Sequence, residues 1–251
     1  MLTQIWDVAL YKPLVNALAF LVSVVPGGDI GIAVIILTLL VKTALYPLSQ
    51  RSIESQAKMN LLSPELKKIK ASGASKEEQA KQTMELYKKH KTNPFSGCLL
   101  VLIQIPIIFA LYYVFYKGIN FDSGILYSFV HIPDNINMNF LGLIDIGKKS
   151  LILAILAGLS QFFQAYYMPK PAVSSDKGGG FAESFGKSMN MQMKYIFPFV
   201  VTFIAYSISG AIALYWITSN VFAIGQQIHA KKKKFSIIVH GHKLETQAEK
   251  K

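Results

Sequence analysis

The sequence predicts an all-α membrane protein: a five-span helical bundle with a cytoplasmic helical hairpin and an N-terminal interfacial helix. Three observations predict it. The chain of 251 residues is 52% hydrophobic and only 16% charged, against about 25% charged in a typical soluble domain. Its apolar mass falls in long runs almost free of charge. Its formal net charge of +12, from 26 Lys+Arg against 14 Asp+Glu, falls between those runs. Disorder is excluded by the wealth of aromatic and β-branched residues, and a disulfide scaffold by the single cysteine, Cys98.

Residues 1–28 read as the interfacial helix. The stretch 8–25 is apolar but carries Lys12, Pro13, Asn16 and Ser23. At about 100° per residue, Lys12, Asn16, Ala19 and Ser23 form one polar stripe, which suits a helix lying at the membrane surface. A sixth span and a signal sequence are the alternatives, the latter without an evident small-residue cleavage site. The first span is 29–50, where 30–48 holds one charge, Lys42. Residues 51–94 form a basic hairpin: Ser63-Pro64-Glu65 reads as N-cap, first helical position and first-turn acid, and Ser75-Lys76-Glu77-Glu78 as a capping box. Asn93-Pro94 starts the second span in the same way, and that span covers 95–117. An extra-cytoplasmic loop fills 118–149. The third span is 150–169, and a flexible linker, with PAVSSDKGGG inside it, occupies 170–193. Residues 195–228 contain no Asp, Glu, Lys or Arg in 34 positions. One straight helix of that length would measure about 51 Å, against a hydrocarbon core of about 30 Å. Two spans, 194–209 and 210–229, therefore meet at the turn-like Ser207-Ile208-Ser209-Gly210. The basic tail, 230–251, is expected to be mostly without structure.

The charge orients this bundle. Residues 51–94 hold ten of the basic residues, the linker and its border four, and the tail seven, including Lys231, Lys232, Lys233 and Lys234, whereas 118–147 hold none. Positive charge marks the cytoplasmic side. The hairpin, linker and tail therefore lie inside, with a cytoplasmic C-terminus and an extra-cytoplasmic N-terminus. Lys148 and Lys149, at an outer end, dissent.

Lys42 is the one basic residue inside a span, about 18 Å from Ile30 at 1.5 Å per residue. Snorkelling to the near surface is the bland account. Against it, Gly31, Thr38 and Ser49 share its helical face. Thr202, Tyr206 and Ser209 align on the fourth span, and Trp216, Asn220 and Gln227 on the fifth. Gln161 and Gln164 lie near the inner end of the third, and Gln104 sits in the second. Each alone reads as interhelical hydrogen-bonding glue. Together with a lysine they read as one hydrophilic cavity, with Lys42, Thr38, Gln104, Gln161, Gln164, Thr202, Tyr206, Trp216 and Asn220 as its candidate lining. No catalytic or metal set is legible. The histidines, His90, His131, His229, His240 and His242, form no zinc spacing, and the triple glycine at 178–180 lacks the Lys-Ser/Thr of a phosphate loop.

Two long motifs carry a family resemblance. NPFSGCLLVLIQIPIIFALYY at 93–113 resembles the second-span signature of the YidC-type membrane protein insertases, and YIFPFVVTFIAYSISGAIALYWITSNVFAIGQQ at 195–227 is similar to that family's last two spans. The basic hairpin, Leu141-Gly142 in the outer loop and the basic tail also fit. The resemblance implies a multi-pass protein of the bacterial cell membrane with five spans around a groove open to cytoplasm and lipid. It implies an insertase and chaperone rather than an enzyme, working without nucleotide hydrolysis, cofactor or metal. Implied partners are nascent membrane proteins, membrane lipids and the ribosome, with the Sec translocon a further candidate, for a chain acting as a monomer. The resemblance places Lys42 where the family commonly carries Arg, and Leu100 where relatives often have Pro. Lys231–Lys234 would meet ribosomal RNA or anionic lipid. A small-solute or ion transporter is the competing class, and the inverted repeat such proteins often show is not apparent.

Overall fold

A computed structural model describes residues 6–90, 92, 96–116, 124–131, 135–168 and 191–248, and their side chains except at 96–103, 111, 116 and 232–248. Within them the chain is mostly helical. A π-helical turn, Asp7–Tyr11, leads into α1 (Lys12–Val24). Then follow α2 (Ile30–Ala44), α3 (Tyr46–Leu61), α4 (Ser63–Ala71), α5 (Lys76–Lys89) and α6 (Ser96–Tyr116). A β-hairpin, β1 (Asn139–Phe140) and β2 (Ile144–Asp145), precedes α7 (Leu151–Tyr167). A second π-helical turn, Gln192–Ile196, opens α8 (Phe197–Ile208), and α9 (Gly210–Ala248) closes the chain. Asn93-Pro94 and most of the 170–193 linker lie outside the described residues.

Several boundaries differ from the sequence reading. The helix that opens the expected first span stops at Ala44, and α3 leaves it at 61°. Pro47 in the first turn of α3 is the cause, because a proline lacks an amide and its ring clashes with the carbonyl four residues back. Residues 46–50 therefore belong to α3. Leu62, not Ser63, is the N-cap of α4, and no side chain caps it. Ser75 does cap α5, accepting from Glu78 N at 3.2 Å. Half of the expected surface stripe of α1 faces protein: Asn16 and Ala19 are buried, whereas Lys12 is half-buried and Ser23 exposed. Asn16 Nδ2 donates to Ile125 O at 3.1 Å and its Oδ1 accepts from Tyr127 N at 2.6 Å, which pins the loop beyond α6. By length and composition Asp7–Val24 is long and apolar enough to cross a membrane, as is the bent pair α2–α3 taken together. Leu151–Tyr167 and Gln192–Ile208 are shorter apolar helices. The backbone of α9 stays helical to Ala248, through the segment expected to be unstructured.

The core joins α1, α2 and α6–α9. It is closed by small residues, with Ala154, Ala157, Val201, Ala205, Ala211 and Ala213 fully buried, as expected where packing rather than water exclusion holds helices together. Gly158 lets α7 and α8 approach: a Cβ there would overlap Thr202 Oγ1. A satellite cluster of Leu62, Leu66 and Leu86 folds α5 back on α4.

One end of the bundle is tied by the hairpin. Asn139 pairs antiparallel with Asp145, and Phe140 with Ile144. Phe140 lies against Gly31, where any Cβ would overlap its ring. Ile30 N donates to Asn137 O at 3.1 Å, Gly210 N to Lys148 O at 2.9 Å and Ala211 N to Ile146 O at 3.0 Å. Asp29 caps α2 through Oδ1 on Ile32 N (3.1 Å), while its Oδ2 accepts from Leu141 N at 2.8 Å. Asp29→Ala is expected to lower stability by about 2–3 kcal/mol, summing a lost N-cap and a lost charged hydrogen bond. Asp29→Asn should retain part of this. Thermal midpoints in detergent micelles check it, and an unchanged Ala midpoint would show that Asp29 does not hold the hairpin.

Candidate functional site

A cavity of about 270 Å³ opens in the half of the bundle away from the hairpin. Its walls come from five elements: Lys42 near the C-terminus of α2, Leu48, Ser49, Ile53 and Gln56 on α3, Gln104 on α6, Gln161 and Gln164 on α7, and Trp216, Ser219, Asn220, Gln226 and Gln227 on α9. Phe197 of α8, the methionines at 168 and 193, and Leu45, Ile105, Ile108, Phe222 and Ala223 add apolar surface. Spacing explains each contribution. Gln161 and Gln164 are three residues apart on α7 and bond to each other at 3.1 Å. Trp216, Asn220 and Gln227 recur at helical period down one side of α9.

The α3 bend completes the wall. Because the chain turns at Leu45, Ser49 swings towards α9 and accepts from Gln226 Nε2 at 2.7 Å. The same amide reaches Tyr46 O at 3.3 Å. Asn220 Nδ2 donates to Ser160 Oγ at 3.0 Å, tying α9 to α7.

Lys42 is half-buried, and its Nζ donates to Gln104 Oε1 at 2.9 Å. No Asp or Glu is among the residues lining the cavity. The ammonium therefore meets an amide dipole but no counter-ion there, in walls otherwise made of amides, hydroxyls and hydrocarbon. Two amide atoms of the lining, Gln104 Nε2 and Gln227 Oε1, are buried without a hydrogen-bond partner. Unmade bonds of this kind are expensive, at about 1–3 kcal/mol each. Chemically the site can attract an anion and exchange hydrogen bonds. Among the described residues no cluster of three metal-ligating side chains occurs.

Of the residues named from sequence, the cavity gathers Lys42, Gln104, Gln161, Gln164, Trp216 and Asn220. Three stand elsewhere. Thr38 is buried and donates to Val34 O at 2.7 Å, one turn back in its own helix. Thr202 donates to Pro198 O at 2.9 Å and packs over Gly158. Tyr206 is exposed at the hairpin end, with Lys149 Nζ 6.0 Å from its ring centroid. These threonines spend their hydroxyls on their own helices, a local option that helical spacing does not reveal. Gln56, Ser219 and Gln226 were missed; the Gln226-Gln227 pair ending a charge-free run was the available signal. Of the tail lysines, Lys231 lies 5.4 Å from the Tyr167 ring centroid, and the side chains of Lys232, Lys233 and Lys234 lie outside the described residues.

Comparison with known proteins places the chain among membrane proteins. The family described as 60Kd inner membrane protein matches residues 20–236. A protein of Fusobacterium nucleatum subsp. nucleatum named membrane protein insertase YidC is 35% identical over 231 residues, covering 89% of this chain and 98% of that one. Proteins of the same name from Francisella tularensis subspecies novicida and tularensis are 33% identical over 203 residues, 80% of this chain. The chain spans only about a third, 32%, of those Francisella relatives.

The Lys42–Gln104 pair is expected to behave as a site kept at the expense of stability. Replacing both partners by apolar residues of similar size, Lys42→Met with Gln104→Leu, should give a midpoint at or above the parent. Lys42→Met alone, which strands both polar atoms of Gln104, should fall below the double variant. A double-mutant cycle should return a coupling of about 0.5–3 kcal/mol, and additive midpoints would reject the pairing.

Proposed function

The chain belongs to the 60Kd inner membrane protein family, the family of the insertases named YidC, and on that premise we propose that it inserts hydrophobic segments of nascent proteins into the bacterial inner membrane. In this reading five spans surround the cavity, which opens as a groove to cytoplasm and lipid. The β-hairpin end faces outward and the C-terminus lies inside. No nucleotide is consumed, and the chain acts as a monomer on nascent membrane proteins. The ribosome would meet the Lys231–Lys234 tail, and the Sec translocon is a further candidate partner.

The observation that carries the reading is an acid-free polar cavity with a half-buried lysine in its wall. A segment entering the bilayer drags a polar tail across it, and a charge in hydrocarbon is very costly. A wet, polar recess part-way across shortens the low-dielectric path. An acidic side chain brought to about 4 Å from Lys42 gains about 4 kcal/mol at an effective dielectric near 20. Gln104, Gln161, Gln164 and Asn220 would replace hydration as the tail passes. Partition of the client's own helix into lipid supplies the driving force. Lys42 carries a point charge on a flexible stem, so attraction here needs no bidentate fork.

Reconstituted insertion of clients with acidic N-terminal tails tests this. Lys42→Ala should slow insertion about tenfold, the rate equivalent of about 1.4 kcal/mol. Lys42→Arg should preserve it, and Lys42→Glu should be worse than Ala for acidic tails and milder for neutral ones. Equal insertion by the Ala and parent chains would sink the electrostatic role.

A further inference from the structure

The tip of the β-hairpin contradicts ordinary turn chemistry. Leu141 has φ +52, in the left-handed region that Gly, Asn and Asp adopt and that strains a bulky apolar residue. The turn is nevertheless fixed. Gly142 N donates to Asn139 O and Leu143 N to Phe140 O, both at 3.0 Å. Leu141 N is held by the Asp29 carboxylate. The inward positions are already filled, by Phe140 against Gly31 and by fully buried Ile146. The two leucines are left pointing away from the bundle, 60% and 82% exposed. In water, this turn would favour small polar residues on both counts, conformation and solvation.

Charged and aromatic side chains gather beside the hairpin. Shortly after β2, Lys148 Nζ bonds Asp145 at 2.9 Å and Lys149 lies over Tyr206. Lysines and tyrosines gather where hydrocarbon meets headgroups. This accounts for two lysines that the charge pattern places on the wrong side. Beyond these lysines, Leu151 and Ile152 at the start of α7 are exposed as well.

We propose that Leu141 and Leu143 form a lipid wedge, seated among acyl chains of the outer leaflet at the rim of the bundle. The proposal rests on the topology given above, in which the hairpin end is outside. Its occupant is phospholipid rather than protein. Two side chains on a three-residue turn fall far short of the roughly 800 Å² per partner of a stable protein interface. Because Asp29 grips both the wedge and the start of α2, the wedge couples the outer leaflet to the helix that carries Lys42.

The test labels Leu143→Cys, in a Cys98→Ser background, with an environment-sensitive fluorophore. The full chain is reconstituted in phosphatidylethanolamine/phosphatidylglycerol vesicles. Asn135→Cys, on the same exposed loop, is the reference. A wedge gives blue-shifted emission at 143 and about twofold stronger quenching than at 135 by lipids with a nitroxide high on the acyl chain, about 5–10 Å deep. Equal emission and quenching at the two positions overturns the proposal, as does quenching only by nitroxides confined to the inner leaflet. A second variant guards against label artefacts. Leu141→Asn with Leu143→Ser should keep or raise the midpoint in micelles, because Asn suits the turn, yet lose stabilisation on transfer to vesicles. An unchanged vesicle-minus-micelle difference overturns it. Quenching without client insertion would keep the wedge and reject the insertase reading; insertion without quenching would do the reverse.

Discussion

Two helices begin at the same end of this bundle, and both donate hydrogen bonds there to the stretch before α7. The first amides of α2 and α9 lack intrahelical acceptors, as at every helix start. Here they sit where apolar packing leaves little water. The stretch from Asn137 to Lys148 supplies what is missing, offering carbonyls to Ile30, Gly210 and Ala211, and Asp29 adds its carboxylate. The arrangement beyond depends on that tie. It fixes the depth of α2 relative to α9, and so the level at which Lys42 stands opposite Trp216 and Asn220. The amides that line the cavity lie towards the other end.

The polar recess and the apolar seam are packed differently. In the recess Gln104 meets Lys42 with its oxygen while its nitrogen and the Gln227 oxygen have no protein partner. The seam is made of the small residues Ala154, Ala157, Gly158, Ala205 and Ala213. It brings α7 close to α8 and α9, and the dispersion gained is collective. Packing is thus tight where the helices meet beside the hairpin and relaxed where the amides line the cavity.

Much of this was legible because charge and amide are rare in apolar runs. Lys42, Gln104, Gln161 and Asn220 announce themselves by contrast alone, and the cavity gathers all four. What stayed hidden depends on partners distant in sequence or on a choice within one helix. Thr38 and Thr202 look like groove residues until their hydroxyls are seen turned back on Val34 and Pro198. Asn16 resembles a surface residue, yet its partners are Ile125 and Tyr127, more than a hundred positions on. Ser49 and Gln226 meet only because Pro47 bends the chain, and a hydropathy window that counts residues straight through 29–50 passes over that proline.

The 61° bend at Leu45 also has a mechanical meaning. The helix after it does two things at once: with Leu48, Ser49, Ile53 and Gln56 it walls the cavity, and at its far end it carries the paired helices α4 and α5. One rigid element therefore serves both neighbours: any contact made with α4 and α5 bears on the same helix that walls the cavity, and the Tyr46–Ser49–Gln226 latch ties that helix to α9.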